Sequence, residues 1–308
     1  MREARDSIKW LCVVLAACVL TGAWAGLAAA ADIAFLAQIV KLEGDVSVQR
    51  GAAMTLRPRV GPAGVLQGEL MSGDRIRSGP ESSASVLFGD GTSLVLNQGT
   101  VVSVFQTQAT SPGAPATRRI KLHLGKLDWE VAKNSAVATQ FDLPYGLASV
   151  KGTSGSFDVT VDAVSGNLQV EMSLSGGAIT FEAKVNGLSY AGGDLAAGQT
   201  LTIRSWPGGV VFSTRQDSPP VTFVLENGTT VTVGSGNAAV ITIQPDGRIN
   251  ITALTGSVEV QEPGKAPQTL NEGEQASTDA PPGAGPEGGA AGGEAPPIVI
   301  KNPASPAI

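Results

Sequence analysis

Cysteine is nearly missing from this chain: of 308 residues only Cys12 and Cys18 are cysteines, and both lie near the N-terminus. Past them no disulfide can form, and no thiolate pair can hold zinc. Histidine is scarcer, with His123 alone. A Ser-His-Asp triad would have to use it, yet it alternates with Leu122 and Leu124 and shares a face with Lys121, which points it to solvent. Charged residues make up 16% of the chain and aromatics 5%. The net charge of −6 and the absence of a basic run argue against nucleic acid, whose binding depends on neutralising phosphates. No Gly-x-Ser-x-Gly elbow joins a strand to a helix, and no D-x-[DN]-x-[DN]-G calcium loop occurs. Paired carboxylates for a glycosidase are not placed across a cleft by anything in the sequence. The expectation is a non-enzymatic protein with no catalytic residue, no metal site and no cofactor.

Also lacking, between Asp32 and Glu274, is any sustained stripe of apolar residues at helical spacing; alternation of period two recurs instead. Glycine is abundant, 39 residues, beside many Val, Thr and Ser. This combination reads as short strands joined by tight turns. Strands are expected at Ala37–Glu43, at Val46–Val48 after the Gly44-Asp45 turn, and across Leu66–Ile76 with a turn at Ser72-Gly73-Asp74. Ser83–Phe88 and Ser93–Leu96 flank the turn Gly89-Asp90-Gly91-Thr92. Asp45, Asp74 and Asp90 each adjoin a glycine, the usual chemistry of turns. Gly152-Thr153-Ser154-Gly155 reads as a turn-like glycine cluster, and residues 106–117, rich in Thr, Ser, Pro and Ala, as a surface loop. Trp129, Phe141, Tyr145 and Phe157 read as core or edge packing, not as a sugar-stacking platform.

One plan recurs: strand, glycine turn, strand. It occurs at Ile120–Val131 around Gly125, at Leu168–Glu182 around Gly176-Gly177, and at Ile249–Val260 around Gly256. The latter two continue alike, Leu195–Leu201 corresponding to Leu270–Ala276. A further echo links Gly91–Leu96 with Gly228–Val233, so residues 221–276 read as a shortened copy of the first region. Repetition of this kind implies stacked rungs that bury one face against the next.

The N-terminus carries Arg2, Arg5 and Lys9, an apolar run from Trp10 to Leu20, and small residues to Ala31, the parts of a secretory signal cleaved near Ala30 or Ala31. Two other readings stay open: lipidation at Cys18 in the lipobox-like Leu15-Ala16-Ala17-Cys18, and an uncleaved anchor over Trp10–Ala31. Contact with a membrane is expected only through this segment. At the other end the chain turns to Pro, Gly and Ala, too poor in apolar surface for a core. Its one apolar spot, Pro296–Ile300, reads as chance hydrophobes or as a strand that pairs with a partner's sheet edge. The expected organisation is a signal at residues 1–31, a β domain at 32–205, a shorter repeat-like β region at 206–277 and a disordered tail at 278–308. The expected fold class is all-β, solenoid-like or sandwich-like stacked short strands behind an N-terminal signal helix.

Several of these motifs, in their order and spacing, resemble the FecR-type domain named for periplasmic iron-dicitrate sensors. They are Gly44-Asp45-Val46, Gly73-Asp74-Arg75-Ile76, Ser78-Gly79, Ala84, Phe88-Gly89-Asp90-Gly91-Thr92 and Leu94-Val95-Leu96. Further on, Phe141–Gly146 and Ala148-Ser149-Val150-Lys151-Gly152-Thr153 resemble the family's strand leading into an Arg-Gly-Thr-x-Phe turn. Here Lys151 replaces the arginine, and Ser154-Gly155-Ser156 fills a gap usually of one residue before Phe157. The resemblance implies an all-β periplasmic module whose glycines and aspartates are structural, with no catalytic residue to carry over. In sigma-regulator members the domain senses a transporter and relays its state through a cytoplasmic anti-sigma region. Nine residues precede the apolar segment here, so that relay would need a separate cytoplasmic partner. The expectation is an exported module, periplasmic or secreted, that binds another envelope protein or an envelope polymer. A structural or adhesive surface protein is the alternative.

Overall fold

The computed structural model describes residues 36–52, 54–60, 66–107, 115–162, 166–185 and 188–278. The expected signal segment with Cys18, most of residues 106–117, and the expected tail with Pro296–Ile300 lie outside them. The described residues are all-β, without a helix.

Two long antiparallel sheets carry almost every strand. The front sheet runs Glu69–Leu70, Ala37–Glu43, Ser83–Phe88, Ser93–Leu96, the second half of Thr117–Glu130, then Ser154–Val161 and Leu168–Gly176. It continues through Thr200–Trp206, Gly209–Thr214, Ala238–Ile243 and Ile249–Thr255 to Gln275–Thr278. The back sheet runs Met54–Leu56, Val46–Arg50, Arg75–Ser78, Val101–Thr107, the first half of Thr117–Glu130, Ala138–Leu143 and Gly146–Val150. It continues through Ala178–Val185, Leu188–Ala196, Val221–Leu225 and Thr230–Val233 to Val258–Gln261 and Gln268–Leu270. Past the first strand of each, both sheets therefore grow in chain order, as in a solenoid, and neither breaks near residue 205.

The sheets stack on one core. Period-two alternation sends one side chain in two inward: Ala84, Val86 and Phe88 of Ser83–Phe88 are buried, as are Val221, Phe223 and Leu225 of Val221–Leu225. Aromatic contacts cross between the layers. Phe141 of the back sheet meets Phe157 of the front sheet at 4.9 Å, and Phe212 meets Phe223 at 4.5 Å. Trp129 stacks on Phe157 at 5.3 Å, so three of the four aromatics expected in the core form one cluster. Burying each such side chain stabilises by about 1.5–3 kcal/mol.

The glycine-centred units are not hairpins. Gly125 sits inside one strand, Thr117–Glu130, whose first half pairs in the back sheet and whose second half pairs in the front sheet. Its φ of +88° bends the strand from one layer to the other. Gly177 and Gly256 lie likewise between a front strand and a back strand. What the sequence presents as turns are corners between layers.

Another corner has the pattern Leu-x-x-Gly followed by Asp, Gln or Glu. At Leu70–Asp74, Leu195–Gln199 and Leu270–Glu274 the leucine is buried and the last side chain accepts the amide of the residue three before it. The pairs are Met71 N to Asp74 Oδ2 at 2.8 Å, Ala196 N to Gln199 Oε1 at 2.7 Å, and Asn271 N to Glu274 Oε2 at 2.8 Å. True hairpins share a second pattern. In Phe88–Thr92, Leu225–Thr229 and Gln244–Arg248 an Asp or Asn side chain accepts the amide two residues on, each at 3.1 Å.

Two boundaries move. Gln106, Thr107 and Thr117 belong to strands, not to the expected loop. Thr278, expected in the tail, closes the last strand, its buried hydroxyl donating to Ile249 O at 3.2 Å and accepting from Asn227 at 2.7 Å.

Candidate functional site

One strand pairing departs from the antiparallel rule and creates a groove. Thr117–Lys121 and Ala138–Asp142 run parallel in the back sheet, so the chain must return between them. Residues 131–137 make that return and stand beside the outer face of the sheet. Register sets Gln140, Ser149 and Thr180 in one row of the floor, and Ala138, Lys151 and Ala178 line it just beyond. These side chains are mostly short, and the trough they leave holds about 590 Å³, walled by Pro115, Val131 and Ser135–Val137.

Asp90 fastens the wall. Its carboxylate accepts from the Thr92 amide at 3.1 Å, from Arg118 Nη1 at 3.2 Å, and from the hydroxyl of Ser135 in the return segment. Arg118 Nη2 closes the ion pair at 3.1 Å, and its guanidinium lies 3.9 Å over the Phe88 ring. The Thr92 hydroxyl accepts from Ala132 N at 3.4 Å. Burial acts to raise the Asp90 pKa, but Ser135, Arg118 and the Thr92 amide outweigh it and hold the carboxyl at about 2. Phe88, Asp90 and Gly91 thus belong to one clamp. Its partners Arg118 and Ser135 were not singled out from the sequence. For Arg118 a signal existed: it shares the inward register of Ile120 and Leu122, and a charge in an apolar register calls for a counter-charge.

The remaining motif residues divide between this site and distant corners. Gly152 takes a φ of +60° against Lys133, and Thr153 O accepts from Val131 N at 2.8 Å, which anchors the start of the return segment. Ser154, Gly155 and Ser156 are strand, not turn, paired to Gly176, Leu174 and Ser173. A Cβ on Gly155 would lie 2.5 Å from Ser173 O and 3.0 Å from Trp129 Cζ2, so the extra glycine makes room first for the paired strand and then for the indole. Gly44, Asp45 and Gly79 build one corner, where Asp45 N donates to Ser82 Oγ at 2.9 Å and Gly79 N to Asp45 O at 2.8 Å. Gly73 and Asp74 build another, where buried Asp74 binds Arg50 at 2.7 Å. Neither corner borders the groove.

His123 lies on the outer face, as expected, but does not point freely to solvent. It is half-buried on the outer face, its Nε2 3.0 Å from Ser103 Oγ. Burial, then Arg75 and Lys121, lower its pKa. The pair lacks the parts of a nucleophile. Ser103 sits mid-strand between Arg75 and Lys121, with ladder pairing on both sides, so no backbone N–H stands free there for an oxyanion. Among the described residues no group of three His, Cys, Asp or Glu could hold a metal ion. Nor is any helix among them long and apolar enough to cross a membrane.

Comparison with known proteins places residues 74–185 under the family model described as FecR protein. The expected Gly44-Asp45 motif precedes the matched residues. No curated protein matches the chain. Two crystal structures of a proposed anti-sigma factor from Parabacteroides distasonis ATCC 8503, at 1.65 and 2.50 Å resolution, are similar at 18% and 16% identity with TM-scores of 0.34 and 0.33. The alignments cover 46% of this chain and 59% of theirs, so the match spans less than two thirds of those proteins.

Proposed function

We propose, from the premise that residues 74–185 are a FecR-type domain, that this chain is an exported, non-enzymatic module of envelope sensing. It binds another envelope protein through the groove beside residues 131–137. The observation that carries this reading is the Asp90 clamp. A buried ion pair and a cation–π contact hold Asp90 and Arg118 in place, and the Ser135 hydroxyl ties to that Asp90 a return segment whose other side is open to solvent. A pre-formed wall lowers the ordering cost of binding, and a floor of Ala, Ser, Thr and Gln with Lys151 at one end admits a peptide backbone closely and offers it one cation. Recognition by side chains suits this place, because the floor strands already pair with neighbours on both sides and offer no free edge.

The test is a photo-crosslinking residue placed at Gln140 or Ser149 in living cells, with Ser85 on the outer front face as control. The expected result is one crosslinked envelope protein from both groove positions and none from Ser85. Equal yields at all three positions would sink the reading. Cell fractionation reads localisation in the same samples: the module is expected in the periplasm, and a wholly cytoplasmic fraction would overturn the export part.

A further inference from the structure

The sequence has no basic run, yet the back sheet assembles one. Arg75 and Arg77 project from the outer face of one strand, about 7 Å apart at ordinary strand rise. Register places Arg75 opposite Ser103, and Ser103 opposite Lys121, so Lys121 stands about 10 Å away across two strand spacings. All three cations are exposed. Among the described residues no carboxylate lies within ion-pair distance of any of them. Asp142, opposite Lys121 in register, is bound to Arg119 at 2.8 Å. In an acidic chain, three neighbouring cations without partners are an unspent positive field.

The cations line a cavity. Arg75 and Arg77, with Ser47, Gln49, Thr55 and Val101, surround a groove of about 280 Å³ on this face. Lys121 then leads toward the larger groove, since its strand pairs with the one that carries Gln140.

We propose that this face binds an anionic polysaccharide, a sugar chain bearing carboxylate or phosphate groups, laid across the strands. Arg75 and Arg77 offer guanidinium forks to the acidic groups, and Lys121 a point charge further along. Ser47, Gln49 and Thr55 supply donors and acceptors for hydroxyls. A flexible acidic peptide would gain most by adding to a sheet edge, but the strand that carries both arginines is paired on both sides from Arg75 to Arg77, and the free edge of this sheet lies two strands away at Met54–Leu56. Three cations on a flat face are few for a duplex, whose affinity comes from many phosphate contacts. The site is distinct from the protein-binding groove floor, and either can fail without the other.

The test is affinity measurement on the whole chain at low and moderate salt. The probes are polygalacturonate for carboxylate and poly(glycerol phosphate) for phosphate, with neutral dextran as control. Binding is expected for at least one anionic polymer and not for dextran. The double variant Arg75→Gln/Arg77→Gln is expected to lose about tenfold or more in affinity and to flatten the salt dependence. The control variant Lys41→Gln/Arg248→Gln keeps the same net charge as that variant and is expected to bind as the parent does. All substituted residues are exposed, so matched thermal melting certifies the fold. No binding to either polymer, equal loss in both variants, or tighter binding of a Glu-rich peptide or duplex DNA at equal charge would overturn the proposal.

Discussion

Arg118 and Asp90 form an ion pair at 3.1 Å in which the guanidinium side chain is 2% exposed and the carboxylate 14%. The pair joins the Phe88–Thr92 hairpin to the opposite sheet and to the return segment. Removing one partner strands a charge. Asp90→Ala is expected to destabilise by about 3–5 kcal/mol, whereas Arg118→Met, which removes the charge in need of solvation, costs less. The double variant Asp90→Ala/Arg118→Met should be more stable than Asp90→Ala alone. Urea unfolding of the four proteins measures the coupling. A simple sum of the two losses would mean that the pair is not a unit.

Acid should find the same bond. The Asp90 carboxyl titrates at about 2 in the folded chain, against an ordinary value near 3.8. A depressed folded pKa contributes stability above the unfolded value, and that contribution is lost as pH falls from about 4 toward 2. The share from Asp90 is about 2 kcal/mol. Urea midpoints are expected to drop between pH 4 and 2, with a shallower drop in Asp90→Asn, while the smaller loss from His123 at higher pH is common to both proteins. An identical acid limb in that variant would assign the loss to other carboxyls.

The strands were legible because alternation is a local signal: Ser83–Phe88 and Ser93–Leu96 lie where their period-two patterns end. The corners were legible as turns but not as crossings between layers. Gly125 looks like any hairpin glycine until its two flanks pair in different sheets, and pairing is not local. The same limit hid the site. Asp90 was visible in its Gly-Asp-Gly turn, but Ser135 lies 45 residues away and meets it only because a parallel pairing forces the chain back. Arg75, Arg77 and Lys121 form a patch for the same reason, since register alone brings their strands side by side.

Gly125 and Gly99 separate conformation from space. Both take positive φ, +88° and +66°. A Cβ on Gly125 would lie 2.6 Å from Thr100 Cα and 2.9 Å from Gly99 O, while a Cβ on Gly99 meets nothing within 4 Å. Gly99→Ala is expected to cost about 1–2 kcal/mol, the strain of a left-handed backbone alone. Gly125→Ala adds a backbone clash at the point where the strand changes sheets and is expected to cost about 3 kcal/mol or more. Chemical denaturation of the two variants gives the comparison, and equal losses would contradict the crowding at Gly125.

His123 offers a reading of the cationic face that needs no ligand. Burial, then Arg75 and Lys121, press its pKa below the ordinary value of 6.5, because each disfavours the imidazolium. Proton titration of the ring by NMR is expected to show a midpoint below that value, and Arg75→Gln should move the midpoint upward. The sign carries to stability. The unfolded chain takes up this proton first, so the contribution from His123 is present above about 6.5 and is lost as pH falls through the lowered folded value. An anion seated between Arg75 and Lys121 would neutralise the field that depresses the ring. Polygalacturonate or poly(glycerol phosphate), added to the parent protein, should therefore raise the His123 midpoint, and the Arg75→Gln/Arg77→Gln variant should respond much less. A midpoint at or above the ordinary value in the free protein would show that the two cations do not reach the imidazole.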